Sequence, residues 1–160
     1  MRRKDREVTD RAEMLKIIEG CDVCRIALNA PEAGVPYILP LNFGFEEKDG
    51  QLTFYFHGAL DGRKYELMQN DPRAAFELDC GHTLILDEAQ GNCTMAYESV
   101  IGRGRMALVP DEEKEAALQI LMRQYRGENF AYNRAVLPAT RVFKLTVESM
   151  TGKRRPMPHG

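Results

Sequence analysis

Residues 51–72 read QLTFYFHGALDGRKYELMQNDP, and the fold is decided by how this stretch is parsed. Its first seven residues alternate. Leu52, Phe54 and Phe56 fall on one face, with Gln51, Thr53, Tyr55 and His57 on the other, the period of a strand with one side in a core. Gly62 to Gln69 then reads as a short helix, stopped by Asn70-Asp71-Pro72, a turn signal that a helix does not pass. His57 therefore ends a strand on its polar side, and Gly62-Arg63-Lys64 opens a helix. A helix start offers free N–H groups and a positive dipole end, which suit a phosphate. Arg63 adds a planar fork for its oxygens and Lys64 a mobile point charge.

The flanking sequence supplies more strands. Tyr37 to Glu46 alternates, with Tyr37, Leu39, Leu41, Phe43 and Phe45 on one face. Pro40 has no N–H for a ladder, so this strand is irregular or lies at an edge, leaving neighbouring donors such as that of Asn42 free for a ligand. Lys48-Asp49-Gly50 joins it to the next strand as a hairpin turn. Further strands are expected at Val23–Leu28, Arg73–Leu78, Ala96–Val109 and Arg141–Met150, with Thr83–Leu86 a shorter candidate. Gly102 and Gly104 lie within one strand, which signals either close approach by another backbone or flat ligand, or a bend or bulge. Asp10 and Glu13 have capping-box spacing before a helix carrying Met14, Leu15, Ile17 and Ile18. Asp111 to Tyr125 is a second long helix, with acids in its first turn and a stripe of Ala117, Leu118, Leu121 and Tyr125. Six strands with hairpin-like spacing and three helices favour an antiparallel barrel over a doubly wound sheet. Residues 1–153 form one domain, and 154–160 a basic flexible tail.

Composition excludes several classes. At 160 residues and 44% hydrophobic content the chain supports one domain with a core. A net charge of −2 gives no reason to expect a nucleic-acid partner. No apolar run is long enough for a bilayer, and the charged start MRRKDREVTD is not a secretory signal, so no membrane partner and a cytoplasmic location are expected. Cys21, Cys24, Cys80 and Cys93 are then expected as thiols. Cys21 and Cys24 have C-x-x-C spacing, but without a second such pair they read as small buried hydrophobes, and no metal site is assigned.

The order of motifs resembles the FMN-binding split barrel of pyridoxine 5′-phosphate oxidase-like proteins, within it the nitroimidazole-resistance branch. The resemblance is carried by residues 37–44 (YILPLNFG), 55–59 (YFHGA), Gly62-Arg63-Lys64, Asn70-Asp71-Pro72, residues 97–102 (YESVIG) and Met150-Thr151-Gly152-Lys153. It spans nearly the whole chain through order and spacing rather than through any single motif. It implies a mainly β, six-stranded antiparallel split barrel flanked by helices, binding FMN at a two-fold homodimer interface. It implies Gly62, Arg63 and Lys64 as phosphate ligands. Leu39, Pro40, Leu41, Asn42, Phe43, Phe56, His57 and Ser99 are implied around the rest of the cofactor. The implied activity is an oxidoreductase acting on a small-molecule substrate such as a nitroaromatic, with His57 as proton donor or substrate contact. The partner wall is expected from the helix Asp111–Tyr125, residues 130–137 or the basic tail. The same barrel admits a different flavin, a haem held by His57, His82 or His159, or a non-catalytic flavin-binding module. No G-x-G-x-x-G follows a strand, so the reductant is not specified.

Overall fold

Leu52, Phe54 and Phe56 are completely buried, as the alternation of residues 51–57 requires, and the core is built on that row. The computed structural model describes residues 3–126, 131 and 133–156. Its strands are β1 (Glu7–Val8), β2 (Cys24–Leu28), β3 (Tyr37–Leu41), β4 (Gly44–Lys48), β5 (Gln51–Ala59), β6 (Arg73–Asp87), β7 (Asn92–Leu108) and β8 (Thr140–Arg155); its helices are α1 (Arg11–Glu19), α2 (Arg63–Asn70) and α3 (Lys114–Arg126). They form one eight-stranded antiparallel sheet in the order β3-β2-β6-β7-β8-β5-β4, with β1 added against β8. The sheet is open, since β3 and β4 end the order without pairing to each other.

Eight strands replace the expected six because one expected strand is two and because the short β1 joins the sheet. Tyr37 to Glu46 breaks at Asn42-Phe43, and the chain crosses there from one end of the sheet order to the other. The inward set is still the alternating one: Phe43 is fully buried, and Tyr37, Leu39, Leu41 and Phe45 pack against the same core. β3 pairs only with β2, so Pro40 does lie on an edge strand. The break is held by α3. The Tyr125 hydroxyl accepts from the Phe43 N–H at 2.9 Å and donates to the Asp22 carbonyl at 2.8 Å. The Asn42 amide also donates to Asp22 at 3.1 Å. Gln124 donates to the carbonyls of Glu19 and Cys21 at 3.0 and 2.8 Å, tying α3 to the end of α1.

Aromatic side chains fill the barrel. Phe54 meets Phe43 edge-on at 5.6 Å and Phe76 at 5.2 Å, and Phe56 stacks on Phe143 at 5.5 Å. Each such ring contributes about 1.5–3 kcal/mol on full burial. Gly102 and Gly104 sit where a Cβ would strike β8 backbone, at 2.4 Å from the Ser149 oxygen and 2.1 Å from the Thr146 oxygen. The β7–β8 register also shifts between Arg103 and Gly104. Of the readings open for these glycines, close backbone approach at a bulge is the one observed.

Two boundaries differ from expectation. β8 continues to Arg155, pairing Tyr97 with Arg155 and Glu98 with Arg154, so the first two residues of the expected flexible tail are in the sheet. Arg154 also contacts Glu13, at 3.1 Å. That contact explains why the Asp10–Glu13 capping box is only half made. The Asp10 carboxylate caps α1, accepting from the Ala12 and Glu13 N–H groups, while the Glu13 carboxylate is bound to Lys16 and Arg154. Residues 157–160 of that tail, with His159, lie outside the described residues.

Gly44 is the tightest test of this packing. A Cβ there would lie 2.3 Å from the Leu121 Cα of α3. Gly44→Ala is expected to cost about 2 kcal/mol or more and to lower the melting temperature by roughly 5 °C. An unchanged thermal unfolding curve would show that α3 stands further from β4.

Candidate functional site

The open sheet leaves a split between β3 and the end of β5, and the residues flanking it come from the motif at 51–72. β5 pairs with β4 only as far as Tyr55, but with β8 as far as Ala59. Among the described residues, Phe56–Ala59 therefore has one edge with no strand beside it, and β3 likewise has one free edge. Backbone donors and acceptors along such edges are unused by the sheet.

α2 starts beside this split. Its N-cap, Gly62, has φ +142°, where an L side chain is strained, and gives no side-chain cap to the helix start. Arg63 and Lys64 diverge from there. The Arg63 guanidinium crosses to the far side, over the Tyr37 ring of β3 at 5.4 Å and in an ion pair with Glu32 of the short helical turn Pro31–Ala33. That pairing lowers the pKa of the Glu32 carboxyl. The Lys64 ammonium stays on the β5 side, 4.3 Å from the Tyr65 ring centre. It would lie 3.2 Å from a Cβ on Gly58. Gly58 thus leaves the room that Lys64 occupies.

A third cation, which the sequence reading missed, joins them. Arg141 of β8 is directly opposite Gly58 in the ladder and lies 4.9 Å from the same Tyr65 ring. Tyr65 is fixed by its hydroxyl, which donates to the Ala59 carbonyl at 2.8 Å, and by an edge contact with Phe143. Arg141 stands at the start of an alternating strand with no motif around it, so only the β5–β8 register reveals it.

The other expected site residues fall into separate places. Leu39 and Leu41 turn partly inward against the core, while Pro40 and Asn42 are exposed. Phe43 and Phe56 are completely buried, and the Phe43 N–H is taken by Tyr125, so their side chains belong to the core rather than to the split. His57 lies at the free end of β5 with its side chain on the face opposite Phe56, beside the buried Val142 of β8. Its surface is open, yet neighbouring protein displaces enough water to lower its pKa below the ordinary 6.5. Burial disfavours the imidazolium, so the neutral ring is the stable form near pH 7. Ser99 is paired with Lys153, at the other end of β8 from Val142 and roughly 35 Å of strand path away.

Two solvent-open clefts border these groups. One, of about 600 Å³, is lined by Glu32, Val35, Pro36, Leu67, Asn70 and Asp71 among others. The second, of about 480 Å³, is lined by Leu60, Asp111, Lys114, Thr140, Arg141 and Val142. The remaining histidine among the described residues, His82, is 2.9 Å from Asp79, near the Ser99 end of the sheet. Cys21 and Cys24 are both buried, as their reading as small hydrophobes expects. Cys21 interacts with Cys80, while Cys24 is fully buried elsewhere in the core, and burial raises the pKa of all three thiols. No cluster of three His, Cys, Asp or Glu side chains able to hold a metal is present among the described residues. No described helix is long and apolar enough to cross a membrane.

Comparison with known proteins agrees with this architecture. The sequence model of the pyridoxamine 5′-phosphate oxidase family matches residues 10–154. The chain belongs to that family. Among solved structures it is similar to a candidate 5-nitroimidazole antibiotic resistance protein from Bacteroides thetaiotaomicron, at 32% identity over 92% of this chain and 86% of that one, with a TM-score of 0.78. It shares its fold with the flavocytochrome Anf3 of Azotobacter vinelandii, at 18% identity over 99% of this chain and 73% of that one, TM-score 0.78. It also shares it with an FAD- and haem-binding protein of Mycobacterium smegmatis, at 18% identity over 97% and 76%, TM-score 0.77. No curated protein matches.

The electrostatics of His57 can be checked directly. Its NMR titration is expected to have a midpoint below 6.5. Because the unfolded chain takes up this proton first, the stability contributed by the neutral ring is complete above pH 6.5 and is lost as pH falls through the folded-state value. A midpoint at or above 6.5 would show that the ring is fully hydrated.

Proposed function

We propose that this protein is a flavin oxidoreductase, with FMN as its cofactor and small electrophiles such as nitroaromatics as substrates. The observation that carries the reading is the Gly62-Arg63-Lys64 helix start standing beside two free strand edges. The residues present fit the group. Arg63 and Lys64 offer charge to a phosphate, and the uncapped first turn of α2 offers N–H groups. The free edges of β3 and of β5 from Phe56 to Ala59 offer backbone donors and acceptors to the polar rim of a flat ring. When bound, a flavin supplies two-electron transfer from a reductant such as a nicotinamide to the electrophile. Reducing a nitro group to a nitroso group takes two electrons and two protons and releases water. His57, beside the split, is the group suited to hand on one of those protons. The similarity to the Bacteroides protein supports nitroaromatics as the first substrate class to try.

A second copy of the chain completes the site. Ser99 and Lys64 lie toward opposite ends of the sheet, so one chain does not bring both to one flavin, and a two-fold partner is the proposed source of the second. The outer face of β3, β6 and β7 presents Ile38, Ala75 and Ile101, with Ile38 65% and Ile101 51% exposed. Burying these two side chains is what the face gains by pairing.

Purified protein is expected to show two flavin absorption bands that survive desalting after addition of FMN and bleach on anaerobic reduction. A Soret band would transfer the reading to haem, and no chromophore with no response to FMN would remove the flavin reading. His57→Ala is expected to retain flavin and lose nitroaromatic turnover; retained turnover would dismiss the proton role. Ile101→Glu is expected to shift a dimer to a monomer in sedimentation equilibrium, and a wild-type protein that sediments as a monomer would defeat the two-fold site.

A further inference from the structure

We infer that Arg141 is an anion-binding residue, and that Lys64 and Arg141 together, more than Lys64 and Arg63, form the seat for the ligand's phosphate. This rests on the flavin-phosphate reading above and changes which residues do the binding. Consecutive residues at a helix start point in directions about 100° apart, and Arg63 and Lys64 follow that rule. Arg63 leaves toward Glu32 and Tyr37, where a carboxylate already neutralises it. Lys64 turns the other way, to the Tyr65 ring that Arg141 also approaches. Both cations lie against the single ring of Tyr65, at 4.3 and 4.9 Å from its centre. The space Lys64 fills is that above Gly58, the residue paired with Arg141.

Neither cation has an ion pair among the described residues. The nearby carboxylate of Asp111 is paired with Lys114 at 2.8 Å and interacts with Arg141 only at longer range. Two positive groups brought together across different elements repel each other, and they are held by aromatic contacts worth only about 0.5–2 kcal/mol each. A dianion between them turns that repulsion into two charge-assisted contacts. Both side chains are only half-buried, so solvent reaches them, and Arg141 also lines the open cleft of about 480 Å³ beside Val142. Glu32 then has a distinct part. It holds Arg63 back, so a phosphate recruits Arg63 only by exchange with a carboxylate.

The test compares FMN with riboflavin, which lacks the phosphate, by flavin fluorescence quenching, and adds inorganic phosphate in thermal-shift titrations. Arg141→Gln is chosen because it keeps much of the stem against Tyr65. It is expected to weaken FMN binding about tenfold or more while leaving riboflavin affinity unchanged, and to abolish stabilisation by phosphate. Arg141→Lys recovers part of the FMN preference. Arg63→Gln is expected to have a smaller effect than Arg141→Gln, and Glu32→Gln to tighten FMN binding. If Arg141→Gln binds FMN and riboflavin in the wild-type ratio, the inference is overturned while the flavin reading stands. If the wild-type protein binds neither flavin yet is stabilised by phosphate through Lys64 and Arg141, the anion seat stands and the flavin reading fails. Should Arg141→Gln not fold, Lys64→Gln with the same FMN-to-riboflavin ratio decides whether the seat lies on this side of α2.

Discussion

The hydroxyl of Tyr125 is the point on which the rest of the structure depends. It accepts from the Phe43 N–H, at the place where the chain leaves one edge of the sheet and starts the other, and donates to the Asp22 carbonyl just before β2. Backbone groups at such a break have lost their ladder partners, and burying them without replacement costs about 1–3 kcal/mol each. One hydroxyl serves a donor and an acceptor at once. It does so because α3 approaches closely enough to need Gly44 beneath Leu121. The split between β3 and β5 follows from this, since β3 and β4 end the sheet at opposite sides, are joined through two residues, and β4 leaves the end of β5 uncovered.

That split determines the chemistry available. A closed barrel has no free edges, and a flat sheet has edges far apart. Here a free edge of β3 and a free end of β5 border one opening, and α2 begins beside it. Arg63 reaches from the β5 side to Tyr37 on β3, so the same residue that the motif offers as an anion ligand also spans the opening. Its carboxylate partner, Glu32, sits in a loop rich in Pro, Gly and Ala that has no strand or long helix to anchor it. Charge at the site is therefore divided between Arg63, which is paired with Glu32, and Lys64 and Arg141, which have no ion pair among the described residues.

Residues with strict alternation were legible in advance. Leu52, Phe54, Phe56, Phe143, Leu145 and Val147 point inward because period two leaves a strand no other choice when one face is apolar. The Gly-Arg-Lys helix start was legible because glycine, a basic pair and a following Asn-Asp-Pro stop are local signals. Phe43 and Phe56 show the limit of motif reading. They stand within the motifs, yet their side chains are in the core, since membership in a motif does not say which face of a strand a residue takes. Cys21 and Cys24 were legible as small buried side chains despite their spacing, and both are buried.

By itself the sequence determined most of the elements, the inward rows of the core, an irregularity or edge at the strand bearing Pro40, and a basic helix start next to a histidine. These are set by backbone sterics and by apolar periodicity within a few residues. Tertiary structure alone decided that Tyr37 to Glu46 is two strands on opposite edges, that Arg63 and Lys64 part company, and that Arg141 stands across from Gly58. It also placed Ser99 at the far end of the sheet from Lys64. Each of these depends on which strands pair and in what register, and pairing is settled by contacts between residues tens of positions apart, which no local pattern encodes.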